Sequence, residues 1–363
     1  MLLYKERLKK LQHLLKEASC EGLVVEDPTD LYYLTGLNLS SATLLVHTKG
    51  AHLTIDGRYY EMCKKSSPFP VHLQKKNEPL MTLLAKPELK FVKNIAFNTD
   101  STSYERYRQL KKEIQKRSLK PIANPIAKLR CIKDLTETDT LRKAARLGSE
   151  GFDFVCTLLK EGISEAEIAV ELEIFWKRKG GKGLAFDPII AFGPNSSMPH
   201  YNVGNEHLQK NTSVLIDIGV NFQHYHSDMT RVVFFGKPDP EILVIYDIVQ
   251  RAQQKALALC RPSTQIGDLD AAARDFISEQ GYGENFTHGL GHGIGLDVHE
   301  SPTLRNQPPY KEIPLEPGMV ITIEPGIYLP GIGGVRIEDT IVITPDGYEN
   351  LTNRPTEPLF IDS

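Results

Sequence analysis

Five residues in the C-terminal part of the chain, Asp217, Asp228, His292, Glu324 and Glu338, have the types and settings of a site for two metal ions. Each lies in a stretch whose apolar pattern places it buried or half-buried, as in VLIDIGV around Asp217 and VITIEPG around Glu324. Four carboxylates cannot gather in a core unless positive charge gathers with them, because an unpaired buried charge costs too much. Two divalent cations would supply that charge. A set of four carboxylates and one imidazole suits Mn2+, with Co2+, Zn2+ or Fe2+ as alternatives. Two ions bridged by carboxylates, about 3.5–4 Å apart, are a recurring hydrolytic arrangement.

The spacings give each residue a place. Asp217 and Asp228 are 11 positions apart across an expected hairpin. Partners on one face of such a pair have Cβ atoms about 4.5–5.5 Å apart, so the two carboxylates could share ions. Taken singly, each could instead be a strand-end or loop acid satisfied by backbone N–H groups. Glu324 interrupts an apolar strand and is followed by Pro325. Its alternative partner is Arg336, on the opposing strand. Glu338 follows 14 positions after Glu324, and alternation puts Arg336 on its face and Asp339 on the other. Arg336 could then balance spare acid charge.

FTHGLGHGIGLDVHE, residues 286–300, holds His288, His292 and His299 among Gly289, Gly291, Gly293 and Gly295. That glycine density argues against a helix and for close backbone approach. The His288–His292 spacing imitates HExxH, but residue 289 is Gly and the glutamate base is missing. No GxxxxGK[ST] is present, and Ile294 breaks the fit to GxGxxG, so a phosphate loop is not indicated. Together the pieces favour a metal site over separate core polar residues.

The elements that must position these groups are read from periodicity. In the N-terminal part, residues 4–19 and 103–117 read as helices and 22–26 as a strand. Residues 41–48 and 51–57 read as a hairpin turning at Lys49-Gly50. Asp56, Arg58 and Tyr59 form a polar cluster suited to a turn or domain contact. Pro121 and Pro125 mark a linker over 119–131. Beyond it, residues 136–160 form a long amphipathic helix, with Thr136 and Asp139 as the expected cap. A second helix starts at the capping box Ser164–Glu167 and ends at Gly180-Gly181. Strands are expected at 187–193, 212–222 and 228–236, helices at 240–260 and 266–280, and a strand pair at 319–329 and 334–344. The order helix, helix, strands occurs twice, with one acidic hairpin in each half.

Composition excludes several function classes. A net charge of −3 gives no basic surplus for nucleic acid and no acidic tail. No apolar run approaches the roughly 18 residues of a membrane helix, and the charged amphipathic N-terminus lacks the apolar core of a signal peptide. Five cysteines, an odd number at long spacings without CxxC, read as reduced thiols of a cytoplasmic protein. Seven of the 11 histidines fall between His200 and His299, in the region of the carboxylates.

The stretches VLIDIGVNFQHYHSDMTR, HGLGHGIGLDVHE, ITIEPGIY and GVRIEDT resemble the pita-bread metallopeptidase family, which includes methionine aminopeptidase, aminopeptidase P, prolidase and the metal-free creatinase. The resemblance covers roughly residues 130–355. The intact ligand set argues against the creatinase branch, and DLYYLTG and IDGRYY resemble the aminopeptidase P and prolidase branch. The resemblance implies an α+β fold. A pita-bread catalytic domain, a duplicated helix-helix-hairpin, would span 130–363, and a smaller N-terminal α/β domain 1–125. It implies two divalent metals, with Asp217 on one, Asp228 and Glu338 bridging, and His292 and Glu324 on the other. Glu324 would also handle the proton of the attacking water. His299 and His288 would hydrogen-bond the scissile carbonyl and its oxyanion, His200 would line the substrate pocket, and Arg336 and Tyr328 would steady the acids. The implied substrates are peptides with proline second. The leading expectation is an Xaa-Pro aminopeptidase, with an Xaa-Pro dipeptidase (prolidase) as the alternative and a non-catalytic binding protein of the same fold as a third reading. A homodimer or higher homo-oligomer completes the expectation.

Overall fold

In the computed structural model, residues 2–75 and 78–362 are described. The chain divides into two units, Met1–Arg130 and Cys131–Ser363. In the first, six strands form one sheet in the order β4-β3-β2-β1-β5-β6: β1 (Gly22–Val25), β2 (Ala42–His47), β3 (Gly50–Ile55), β4 (Val71–Leu73), β5 (Asn94–Asn98) and β6 (Ser118–Ile122). The expected hairpin is present, with β2 and β3 paired from Ala42↔Ile55 to His47↔Gly50. Helices α1 (Leu2–Glu17), α2 (Pro28–Thr35), α3 (Tyr60–Ser66), α4 (Pro79–Leu84), α5 (Tyr104–Glu113) and α6 (Pro125–Cys131) complete this part.

The expected linker at 119–131 is instead β6 and α6. Pro121 is tolerated because β6 is an edge strand, where one row of N–H groups needs no partner. Pro125 opens α6, where its missing N–H would have been an orphan anyway. The cluster at Asp56 is a turn contact, with Arg58 Nη2 on Asp56 Oδ2 at 2.7 Å in an exposed setting.

The second unit repeats one pattern. Its first half holds α7 (Leu135–Leu158), α8 (Glu165–Arg178), β7 (Gly183–Leu184), β8 (Ile189–Phe192), β9 (Thr212–Ile218), β10 (Val220–Phe222), β11 (Tyr225–His226) and β12 (Met229–Phe235). The second half holds α9 (Pro240–Leu257), α10 (Ile266–Glu279), β13 (Gly291–Gly293), β14 (Glu300–Leu304), β15 (Val320–Ile323), β16 (Gly326–Leu329), β17 (Gly333–Arg336), β18 (Asp339–Thr344), β19 (Gly347–Asn350) and β20 (Leu359–Ile361). The larger sheets run β20-β12-β9-β8 and β14-β13-β15-β18-β19.

Two caps differ in their fit to the sequence. The Ser164–Glu167 box opens α8 as expected. The cap of α7 is Asp134, not Thr136: its side chain accepts from Thr136 N and Glu137 N, and Glu137 returns to Asp134 N. Asp134 wins because Glu137 three residues on completes the reciprocal box.

Alternation sets what each strand of the first half faces. Ile190, Val214, Ile216, Ile218 and Val233 pack with Val155, Ile168, Leu172 and Trp176 of α7 and α8. Trp176 fits because Gly151 leaves room; a Cβ there would lie 2.4 Å from its indole nitrogen. The opposite faces carry Leu215, Val232 and Phe234 into a second core with Ile245, Val249, Ile321 and Ile341. Asp217, two residues after Leu215, therefore points toward the second half of the unit. No helix among the described residues is long and apolar enough to cross a membrane.

Candidate metal centre

The last acidic strand pair loses one rung, and the site is built there. β15 pairs with β18 and β16 with β17 in one register, and between them Ile337 N still donates to Pro325 O at 3.4 Å. Pro325 has no N–H to return that bond. The neighbouring amides point outward: Glu324 N donates to Leu290 O at 2.8 Å and Glu338 N to Thr230 O at 3.1 Å. Glu338 thus lies beside β12 and Glu324 beside the stretch that leads into β13.

Asp217 lies opposite Thr230 in the β9–β12 ladder, and Asp228 just precedes β12. The two acids are therefore diagonal neighbours on one face, not the directly opposed pair expected. Thr230 shares that face. Its Oγ1 donates to Glu338 Oε2 at 2.7 Å and accepts from Arg336 Nε at 3.2 Å. Sequence reasoning passed over Thr230, although its place two residues after Asp228 was a signal.

The glycine-rich stretch forms β13 and its flanks. Gly291 and Gly293 are needed there, since a Cβ would lie 2.1 Å from Thr322 O and 2.2 Å from Ser301 O. His292 Nδ1 can only donate to Gly293 O, at 3.0 Å, because a carbonyl only accepts. Burial holds this imidazole below its ordinary pKa, which favours the neutral ring. Its Nε2 lone pair is then aimed at Glu324 Oε1, 3.3 Å away, and Asp228 Oδ2, 3.7 Å away.

One ligand atom each from Asp228, His292 and Glu338 lies within 4.8 Å of the others. Glu324 joins them through His292, and Thr322 Oγ1 donates to its Oε1 at 3.1 Å. Asp217 makes a close contact through Oδ2 with Arg336 Nη2. Arg336 was expected to balance spare acid charge at the site; its fork reaches Asp217, and its charge opposes the upward shifts of Asp228, Glu324 and Glu338.

The electrostatics ask for cations. Burial first, then the charges of Glu338, Asp217 and Glu324, push the Asp228 carboxyl well above its usual range. Burial, with Glu324 and Asp217 nearby, does the same to Glu338. Burial pushes Glu324 up to about 8, with Arg336 opposing and Asp217 adding. Asp217 Oδ1 and Glu338 Oε1 are buried and have no hydrogen-bond partner among the described residues. Orphaned carboxylate oxygens, repelling acids and an imidazole lone pair facing two acceptors share one remedy, a divalent cation among them.

The remaining expected residues form the rim. His288 Nδ1 donates to Gly289 O at 2.8 Å, which leaves Nε2 to accept from Tyr328 OH at 2.8 Å. Burial, with Arg336 close by, holds His288 down at about 3, so it stays neutral. Tyr328 OH in turn accepts from Arg336 Nη1 at 2.7 Å. His299 is exposed, with its ring centroid 4.4 Å from that of His292. His200 is exposed, close enough to lower the pKa of both His288 and His299. On the far side of the missing rung, Asp339 pairs with Arg231 at 2.6 Å. Arg231, unremarked in the sequence, also donates to Glu338 O at 2.6 Å and so fixes the backbone of that glutamate.

Comparison with known proteins agrees with this geometry. Residues 139–345 match metallopeptidase family M24, and residues 7–132 match the creatinase/prolidase N-terminal domain. The chain belongs to metallopeptidase family M24. It is 36% identical over 356 residues, 98% of this chain and 100% of the relative, to an Xaa-Pro dipeptidase of Pyrococcus furiosus. The structure of an Xaa-Pro dipeptidase from Bacillus anthracis matches with a TM-score of 0.94 at 32% identity, covering 99% of this chain and 100% of that one. An X-Pro aminopeptidase from Thermotoga maritima matches with a TM-score of 0.87 at 31% identity, covering 94% and 98%. The architecture is the expected one, a pita-bread metallopeptidase domain behind an N-terminal creatinase-type domain. Family membership implies divalent metals and a hydrolase, which removes the non-catalytic reading.

Proposed function

We propose that the protein is an Xaa-Pro dipeptidase, which hydrolyses the bond before proline in dipeptides. Two divalent ions, Mn2+ foremost, would be held by Asp217, Asp228, His292, Glu324 and Glu338. The observation that carries the reading is the end-to-end similarity to dipeptidase relatives. The sequence alone favoured an Xaa-Pro aminopeptidase, and these relatives support the alternative better. One feature of the site agrees. The Arg305 side chain lies across Gly289, where a Cβ would be 2.8 Å from its Cγ and 2.9 Å from its Nε. That sets an exposed cation against the residue that follows His288, a candidate to meet a free substrate carboxylate.

An Xaa-Pro bond is a tertiary amide with no N–H for a site to recognise, so recognition must come from the two ends and the ring. When bound, the ions would supply Lewis acidity toward the scissile carbonyl and the attacking water. Glu324 takes the proton of that water at its carboxylate and passes it to the prolyl nitrogen as the bond breaks. His299, whose ring nitrogens make no hydrogen bond among the described residues, donates to the developing oxyanion. His288 has both nitrogens engaged in this arrangement and supports Tyr328 and, through it, Arg336. His200 lines the pocket.

The test compares kcat/KM for Xaa-Pro and Xaa-Pro-Yaa. The dipeptide is expected to be much the better substrate, and Arg305→Ala should damage its cleavage selectively. Preference for the longer peptide would restore the aminopeptidase reading. Equal cleavage of peptides without proline in second position would sink both.

A further inference from the structure

We infer that Glu165 is the positioning residue for His200. The inference rests on the reading of His200 as a wall of the substrate pocket. Glu165 is the first residue of α8 and is fully buried. Its Oε1 accepts from Phe192 N at 2.8 Å and Asn195 Nδ2 at 3.0 Å. Its Oε2 accepts from Tyr201 OH at 2.7 Å and Gly204 N at 3.1 Å. All four donors come from one segment, Phe192 to Gly204, and His200 lies within it, next to Tyr201.

A helix-capping role does not explain this arrangement. The Ser164–Glu167 box already caps α8 without Glu165. The backbone of α8 instead docks the end of that segment and the residues just after it: Ala166 N donates to Gly204 O and Glu165 N to Glu206 O, both at 3.1 Å. Gly204 is glycine for the same reason, since a Cβ there would lie 2.7 Å from Tyr201 OH. On its other side the segment is held by β17. Gly334 N donates to Ser196 Oγ at 2.8 Å, and Arg336 Nη1 reaches Pro199 O at 3.5 Å. His200 is thus an exposed residue of a strap fixed at one side by a buried carboxylate and at the other by the strand that carries Arg336.

A carboxylate is called for because four donors converge and three of them, Phe192 N, Asn195 Nδ2 and Gly204 N, can only donate. In Glu165→Gln the amide NH2 must oppose one pair. Tyr201 OH can turn to accept, so the NH2 settles there, and Gly204 N is left facing a donor. The loosened end is the one beside His200.

The experiment uses the metal-loaded full chain and compares wild type, Glu165→Gln, His200→Ala and the double variant. Glu165→Gln should raise KM for an Xaa-Pro dipeptide more than it lowers kcat. A fall of about 10- to 100-fold in kcat/KM is expected for a displacement near 1 Å. The double variant should be no worse than His200→Ala, since coupled sites are not additive. Amide hydrogen exchange over residues 192–204 should quicken while that over residues 286–292 stays unchanged. Tyr201→Phe, which removes one donor and keeps the fold, should give the same pattern at smaller size. Multiplicative effects of the two single variants, or unchanged exchange over 192–204, would overturn the inference. Failure of wild type to cut any Xaa-Pro peptide would instead defeat the functional reading, and the exchange comparison would still decide the role of Glu165.

Discussion

Stripping the metals should make the catalytic unit lose stability as pH rises. The strongest handle is Glu324, whose carboxyl moves from 4.5 to about 8 on folding. Below 4.5 the group is protonated in both states and nothing is lost. Above it the unfolded chain ionises while the folded chain keeps its proton, so stability falls with each pH unit until about 8. At about 1.4 kcal/mol per tenfold change, the full loss is on the order of 5 kcal/mol. Asp228 and Glu338 are raised in the same direction and deepen it. Against a typical stability of about 5–15 kcal/mol this is a large share. For a unit of this size, 5 kcal/mol is roughly 10–20 °C in Tm. Trp176, the single tryptophan and fully buried in the catalytic unit, reports that unit alone by fluorescence. Tm of chelator-treated and Mn2+-loaded protein would be followed from pH 5 to pH 8 at constant ionic strength. The metal-free curve should fall steeply, the loaded curve should stay nearly level, and the gap should widen with pH. If the chelated protein is as level as the loaded one, the carboxylates are not the repelling cluster described, and the electrostatic argument for cations fails.

Asp228→Ala should cost more bound metal by elemental analysis than Asp217→Ala, because in the proposed site Asp228 would bridge and so serve both ions. Asp217→Ala should instead show its main loss in thermal unfolding, about 3–5 kcal/mol, as Arg336 is left buried without its partner. His299→Ala should lower kcat by about 10²–10³ with metal content near normal, and parallel metal loss would make it a ligand. Thr230→Val keeps shape but removes the hydroxyl shared by Glu338 and Arg336. It should weaken metal affinity by about 10- to 100-fold in a competition titration, as loss of a ligand's support does.

The candidate ligand residues stood out in the sequence because a carboxylate inside an apolar strand is a local contradiction that only a partner resolves. Asp217 in VLIDIGV and Glu324 in VITIEPG each announce themselves in this way. What could not be read was who partners whom. Alternation put Arg336 on the face of Glu338, and both do meet on Thr230 Oγ1, but it could not say that the Arg336 fork would also reach Asp217 on β9. Pro325 was visible, yet a proline states only that a ladder bond is missing, not which carbonyls the neighbouring amides then reach. The linker at 119–131 failed for a related reason: proline breaks an interior strand but not an edge, and edge status is a property of the whole sheet. Glu165 marks the same boundary. In ISEAEIA it looks like an ordinary acid in the first turn of a helix, and only the return of residues 192–204 reveals four donors on it. The sequence names groups that must be satisfied; the fold decides which distant segment satisfies them. In this chain both the rim and the acids depend on such distant contacts, Glu338 on Thr230 and Arg231 and Asp217 on Arg336, but only the acids are candidate metal ligands. Variants of the rim should therefore alter substrate preference and leave metal content intact, and variants of the strand acids should do the reverse.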